Sequence, residues 1–429
     1  MCPSFMATRN ERDTVRGRAN TLRLALTGQL GAQGLASPQV KEAMDLCVQC
    51  KGCKRECPTG VDMARMKTEF LHYWRAAHGN TLGERLIAAL PLWAPWASRL
   101  PWLANLPAQL PVVGTLMRRL MGWSERRSLP VWRRDGFMAR LSKSGPHAIN
   151  HGSAHRSSKS PTAQAPGGPE VVLWVDTFND HLEPENARAA LKVLQAAGCR
   201  VHVAGAPGSG IAEGERALCC GRTWLSAGDT DRARQEALRT LAALLPFARR
   251  GVPIIGLEPS CLLSLRDEFL ALRLDEALGV PDAARTVAGQ AVLFEEFLVD
   301  ALRHHRVSLP LRSLPQARAL VHGHCHQKAF DAFSPTLALL RHVPGLQVEA
   351  IQSGCCGMAG SFGFQARHET VSMQMAELDL LPAVRAADPD TLIVADGTSC
   401  RHQIADGAAR QAIHVARVLE QALDSTGPG

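Results

Sequence analysis

A chain of 429 residues with 46% hydrophobic content has enough apolar side chain for two or three packed domains. Its net charge of +8 is spread along the chain rather than gathered into a stripe with interleaved aromatics, which argues against a nucleic-acid partner. An acidic partner, a small carboxylate or an anionic membrane surface remains open. No stretch approaches the ~18 uninterrupted apolar residues of a membrane-spanning helix, and the opening MCPSFMATRNERD lacks the apolar core of a signal peptide. The expected compartment is the cytoplasm, where 13 cysteines point to metal rather than disulfides.

Residues 10–78 read as helices around a cysteine loop. Ser37 and Pro38 form the N-cap and first position of a helix running into Leu46, and Asp62 caps another that stops near Gly79. Residues 80–144 are rich in Leu, Pro, Trp and Arg, with Trp93, Trp96, Trp102, Trp123 and Trp132 among short helical fragments broken by Pro91, Pro95, Pro101, Pro107 and Pro111. Residues 145–169 have almost no bulky apolar side chains and read as a flexible linker. Beyond them, apolar strands alternate with amphipathic helices. Strands are expected at 171–175, 200–204 and 252–257 in a first unit (170–300), and at 319–323, 346–351 and 391–396 in a second (315–425). Each unit has a strand leading to Cys-Cys-Gly, a helix, and a strand ending in Pro-Ser-Cys or Thr-Ser-Cys, so an internal duplication is expected. GSGIAEG at 208–214 is too weak to serve as a nucleotide fingerprint.

The most specific signal is Cys47, Cys50, Cys53 and Cys57 followed by Pro58, the C-x2-C-x2-C-x3-C-P spacing with which a tight loop wraps thiolates around a [4Fe-4S] cube. Gly52 is expected to let this backbone fold closely. Zinc is the alternative, but it normally takes two Cys-x2-4-Cys pairs. In two-cluster ferredoxins the fourth cysteine of such a run serves the other cluster. On that reading Cys2, in its own Cys-Pro pair, joins Cys47, Cys50 and Cys53, and Cys57 is left a ligand without a cluster. The alternative for Cys2 is an unconstrained terminal thiol.

The second constellation is the doubled Cys-Cys-Gly. Adjacent cysteines can serve one centre only from a distorted turn, which Gly221 or Gly357 permits. Cys325, Cys355, Cys356 and Cys400 make a four-thiolate set in the second unit. Only Cys219, Cys220 and Cys261 recur in the first, where the counterpart of Cys325 falls near Asp176 or Thr177. Vicinal disulfides or inert core thiols are the alternatives, and Cys199 reads as packing. His324, His326, Lys328, His402 and Arg222 lie beside these cysteines as candidate thiolate stabilisers or acceptor contacts, with a solvated role favoured for His402. The expected class is thus a multi-domain α+β chain, a helical ferredoxin-like [4Fe-4S] domain over 1–79 followed by two duplicated α/β Cys-Cys-Gly units.

Taken together, MCPSFMATRNERDTVRGRANTLR, DLCVQCKGCKRECPTGVDMARMKTEFL and the two Cys-Cys-Gly units resemble the C-terminal half of FAD-binding and iron–sulfur-binding oxidoreductases of the D-lactate and D-2-hydroxyglutarate dehydrogenase type. They are also similar to the iron–sulfur subunits of glycolate oxidase and anaerobic glycerol-3-phosphate dehydrogenase. The resemblance implies electron flow from substrate to FAD, then through clusters to a quinone or cytochrome acceptor near the Cys-Cys-Gly units. It also implies that FAD lies in an upstream portion or a partner, that the chain begins partway through a longer protein, and that alone it does not oxidise a hydroxyacid. Related Cys-Cys-Gly domains hold a non-cubane cluster on a motif ending in Cys-x2-Cys; here Gln403 and Ser264 stand where that last thiolate is required. The segment over 80–144 would pack on its own domain or on the flavin half, or lie peripherally on the inner face of the membrane. A metal-binding interaction or regulatory module, with zinc in place of iron, is the reading from a different class.

Overall fold

The computed structural model describes residues 2–143, 168–205 and 216–424. Apart from its last two residues the expected linker lies outside the described residues, as does GSGIAEG. The helical N-terminal region follows from its caps. Ser37 accepts from the Val40 amide as Pro38 opens the helix Pro38–Asp45, and Asp62 accepts from the Arg65 amide at the head of Met63–His78, which Gly79 closes. These helices and Val15–Leu26 bury Leu22, Val40, Met44, Met63 and Phe70 against one another, and the cysteine loop emerges from the end of that core.

Four of the prolines in the following segment start helices rather than end them. Pro91 lies in the first turn of Leu90–Arg99 and Pro107 in that of Leu106–Gln109, while Pro101 opens Pro101–Ala104 and Pro111 opens Pro111–Met121. Pro95 departs from expectation by lying inside Leu90–Arg99 without breaking it. Having no amide hydrogen, it leaves the Pro91 carbonyl without its i+4 donor. Arg127 clamps the segment down: fully buried, it donates to the Gly363 carbonyl, the Gln403 side-chain oxygen and the Ser372 hydroxyl.

Two four-stranded parallel sheets follow. The strands are β1 (Glu170–Leu173), β2 (Arg200–Val203), β3 (Ile254–Gly256), β4 (Ala291–Leu293), β5 (Arg318–His322), β6 (Gln347–Ala350), β7 (Leu392–Ala395) and β8 (Ala412–Ile413). Their orders are β2-β1-β3-β4 and β6-β5-β7-β8. Six lie where sequence analysis places them. The edge strands β4 and β8 were not foreseen, since three and two residues carry no readable period. Val172 pairs with Ile254, and Ile254 with Ala291; in the second sheet Leu320 pairs with Ile393, and Ile393 with Ala412. Both sheets share one continuous core, in which Val171, Leu173, Val321 and Val394 join the helices Pro184–Ala196 and Val415–Ala422.

Candidate metal centres

The N-terminal loop turns through two left-handed residues, Gln49 at φ 48° and Lys51 at φ 60°, and not through Gly52. A Cβ at Gly52 would meet nothing closer than the Cys50 sulfur, at 3.7 Å. Tertiary contacts hold both strained positions. Gln49 donates to the Ala64 carbonyl and the Thr68 hydroxyl. Lys51, only 2% exposed, pairs with Asp267 at 2.6 Å and Glu268 at 2.7 Å. What Gly52 supplies is its amide, which points at the Cys50 sulfur.

Cys2 is drawn to this loop. Fully buried Arg18 donates to its sulfur at 3.1 Å and to Ser4 Oγ and the Ala43 carbonyl, while the Asp13 carboxylate stays 4.0 Å away. Burial alone would raise the Cys2 thiol, but Arg18 and Ser4 outweigh it and hold the group below the usual thiol range. Burial and then Cys325 push Cys50 well above that range, with Cys2 and Cys47 adding to the effect. Burial likewise raises Cys53, with Cys47 and Cys2 contributing. Cys57 stands apart, its sulfur 3.1 Å from Thr59 Oγ1. A dehydrated guanidinium aimed at Cys2 needs an anion there, and four thiolates around iron supply one. The loop therefore fits a [4Fe-4S] group.

In the second unit Cys325 opens the helix Cys325–Ala329, Cys355 and Cys356 sit in the turn after β6, and Cys400 lies in the first turn of Thr398–Ala408. Their thiols touch in the order Cys325, Cys355, Cys356, Cys400. Cys325 is drawn down to about 6, first by a hydrogen bond from Cys355 and then, against burial, by His324 and Arg222. Hydrogen bonds from Cys355 and Cys400 hold Cys356 well below its ordinary range. His322, which sequence analysis did not single out, brings a ring nitrogen within 4.8 Å of the Cys356 and Cys400 sulfurs. Every cysteine is a free thiol, so neither Cys-Cys pair is a vicinal disulfide. The extra thiolate of a non-cubane motif is replaced by Gln403, which is committed to Arg127 and the Ser372 carbonyl.

The first unit has fewer donors. Counting five residues on from the paired positions Val172 and Leu320 sets Thr177 where the second unit has Cys325; counting seven on from Ile254 and Ile393 sets Cys261 opposite Cys400. Cys220 touches both Cys219 and Cys261. A hydrogen bond from Cys220 lowers Cys261, but burial, Asp176 and Glu258 outweigh it and push the thiol up to about 12. Three thiols beside two carboxylates do not complete a four-thiolate set. Cys199 packs in the core, pushed up to about 12 by burial.

Cys219, Cys220 and Cys261 nevertheless face the same cavity of about 940 Å³ as Cys325, Cys355 and Cys356. Arg222 and His326 sit between the two sets: His326 Nε2 lies 3.2 Å from Arg222 Nη2 and 3.1 Å from the Gln49 carbonyl of the cysteine loop. Trp93 and Trp132, 4.8 Å apart between ring centroids, line the other side. His402 lies 3.0 Å from the Ser128 carbonyl and 3.3 Å from Asp406. Gly221 and Gly357 take φ of 76° and 81° as the Cys-Cys turns require. A Cβ at Gly357 would stand 2.3 Å from the Ser372 carbonyl, so Gly357→Ala is expected to displace Cys355 and Cys356, with a loss of roughly 1–3 kcal/mol in urea denaturation. An unchanged unfolding midpoint would contradict this account of the turn.

Residues 1–62 match the family described as 4Fe-4S dicluster domain, and residues 319–405 the family described as Cysteine-rich domain. The chain is an iron–sulfur electron-transfer module. This module is similar to D-2-hydroxyglutarate dehydrogenase of Escherichia coli (strain K12), 24% identical over 94% of the chain and 40% of that protein. It is also similar to one of the subunits of anaerobic glycerol-3-phosphate dehydrogenase from the same organism, 28% identical over 59% of each chain. The probable glycolate oxidase iron-sulfur subunit of Bacillus subtilis (strain 168) is 23% identical over 98% of the module and 91% of its own length. The module thus spans about 40% of the D-2-hydroxyglutarate dehydrogenase it matches. No solved structure matches it. Among the described residues no helix is long and apolar enough to cross a membrane.

Proposed function

We propose that this module is the iron–sulfur portion of an FAD-linked D-2-hydroxyacid dehydrogenase of the D-lactate, D-2-hydroxyglutarate or glycolate class, passing electrons from flavin to a quinone or cytochrome. In this reading Cys2, Cys47, Cys50 and Cys53 hold a [4Fe-4S] cluster, and Cys325, Cys355, Cys356 and Cys400 hold a second centre. The observation that carries it is the adjacency of Cys50 and Cys325, which pack against one buried cluster with Val48 and Cys355 although they belong to different units, and Cys325 raises the Cys50 thiol. When bound, iron–sulfur clusters supply single-electron storage at potentials set by charge, hydrogen bonding and exposure.

The chain's own groups do the rest. Arg18 and the Gly52 amide stabilise thiolate charge at the loop, and the buried Lys51 ammonium is balanced by Asp267 and Glu268. The cavity offers an acceptor a way to the second thiolate set, with Trp93 and Trp132 as its apolar wall and Arg222 as its charge. The identical strand orders and the matched positions of Cys261 and Cys400 support an internal duplication in which the first unit has lost its fourth thiolate. The first two domains, 1–79 and 80–144, together with the units 170–300 and 315–425, describe this organisation.

The flavin-bearing portion, in cis or as a partner, is assigned to the exposed apolar residues of Leu90–Arg99 through Pro111–Met121, including Trp96, Trp102, Val112, Leu116 and Leu120. The test is anaerobic: photoreduced FAD should bleach the visible absorption of the purified chain, and a short-chain quinone or cytochrome c should restore it. Protein that takes up zinc, stays colourless and accepts no electrons would refute this reading.

A further inference from the structure

We propose that His322 Nε2 is a metal ligand and forms, with the thiolates of Cys356 and Cys400, a mixed nitrogen–sulfur centre in the second unit. Nothing in the cysteine spacing indicates it. The three donor atoms all lie within 4.8 Å of one another. The residues that carry them come from three separate places, the end of β5, the Cys-Cys turn and the helix Thr398–Ala408. All three are buried, His322 to 1% exposure. A trio of soft and borderline donors converging in a buried site suits a transition metal rather than a hard cation.

The second observation is the state of the ring itself. Nε2 is enclosed with no oxygen or nitrogen partner, and the group beside the ring is the Cys356 sulfur; an imidazole nitrogen shut away from water in this way is costly to leave without a ligand. Nδ1 lies 2.9 Å from Ser353 Oγ. With the Nδ1 proton donated to that hydroxyl, Nε2 presents its lone pair to the two sulfurs. This is how a metal-binding histidine is held, one nitrogen on the ion and the other fixed by a hydrogen bond that sets tautomer and tilt. Lys328, whose ammonium donates to the Ser353 carbonyl at 2.5 Å, keeps that serine loop in place.

The ligand type has an electronic consequence. A neutral imidazole brings no negative charge where a cysteine at the same position would bring one, and histidine ligation in place of cysteine raises the potential of an iron–sulfur site. The centre with His322 therefore has a higher potential than the same centre with a cysteine at position 322. This inference rests on the proposal that the second unit holds a metal.

The experiment uses the full chain purified anaerobically, with natural and 15N-labelled histidine, and compares it with His322→Cys and His322→Ala. After reduction, pulsed EPR should show a strong coupling to a directly bonded histidine nitrogen. His322→Cys should keep the metal, lose that coupling and shift one midpoint potential to lower values. His322→Ala should lose the second centre's metal while the loop retains its four iron atoms. Should elemental analysis find zinc in the second unit, cobalt substitution allows the same readout there. The labelled wild-type protein decides the matter even where a variant fails to fold. A second centre without that coupling, and indifferent to His322→Cys, would overturn the ligand assignment and leave the second-unit metal standing. Protein holding only the loop cluster would overturn both.

Discussion

Cys50→Ser is expected to abolish the N-terminal cluster, with loss of about four iron atoms per chain, while Cys57→Ser leaves iron content unchanged. The contrast follows from placement. Cys50 is in the ionisation neighbourhood of Cys2, Cys47 and Cys325, and the Gly52 amide points at its sulfur. Cys57 has Thr59 as its hydrogen-bond partner. Stability should fall along with iron, because metal binding in such loops is coupled to folding. Without the cluster's negative charge, the Arg18 guanidinium keeps Cys2, Ser4, the Ala43 carbonyl and, at 4.0 Å, the buried Asp13 carboxylate. Because Asp13 and Cys2 still partly balance the guanidinium, the expected loss is less than the ~3–5 kcal/mol of a fully uncompensated buried charge. Iron and acid-labile sulfide analysis, with urea denaturation under argon, reads both effects. Equal iron loss in the two variants would show that Cys57 belongs to the ligand set and would overturn the pairing with Cys2.

Asp267→Asn should be the most damaging change outside the cysteines. Asp267 accepts from Lys51 and from Lys54, each at 2.6 Å, and Lys51 is the left-handed residue between two proposed ligands. Removing the carboxylate leaves Lys51 with Glu268 alone, at 2.7 Å, in a site that excludes water. A loss of about 3 kcal/mol is expected, the lower end of the range for breaking a buried pair, because Glu268 remains. The pH dependence supplies a check on the cause. Burial by itself would raise the Asp267 carboxyl, but Lys51 and Lys54 outweigh it, so the folded-state value lies below the unfolded one near ~3.9. The contribution is therefore fully present above that unfolded value and is lost as pH falls through the folded one. Wild type and Asp267→Asn should differ strongly at pH 7 and converge under acid. A gap of constant size at both ends of that range would point to packing rather than charge.

The organisation also explains why the two sheets share one cavity. Parallel strands place their C-terminal ends, and the loops that follow, on one side of each sheet. Cys325 follows β5, Cys400 follows β7 and Cys261 follows β3. The continuous core through Pro184–Ala196 and Val415–Ala422 then fixes one sheet against the other, so both thiol sets open on the space beneath Trp93 and Trp132. Arg401, paired with Glu183 of the first unit, reinforces that joint from the second.

Whatever depends on neighbours a few residues apart was legible in the amino-acid order. The C-x2-C-x2-C-x3-C-P spacing declares a cluster loop because the span of one tight turn matches one face of the cube. Ser37, Pro38, Asp62 and Gly79 declare helix ends because capping acts within one turn. The six longer strands declare themselves by apolar runs, whereas β4 and β8 are too short to do so. Tertiary structure decided the rest: that Arg18 draws Cys2 to the loop, that Cys50 meets Cys325, that Lys51 rather than Gly52 makes the turn, and that His322 faces Cys356 and Cys400. The residues joined by these contacts are separated by 16 to several hundred positions, and no period in the chain links them. Only the packing of helix on helix and sheet on sheet brings such distant donors within bonding reach, because the free energy that holds them there belongs to the whole buried core.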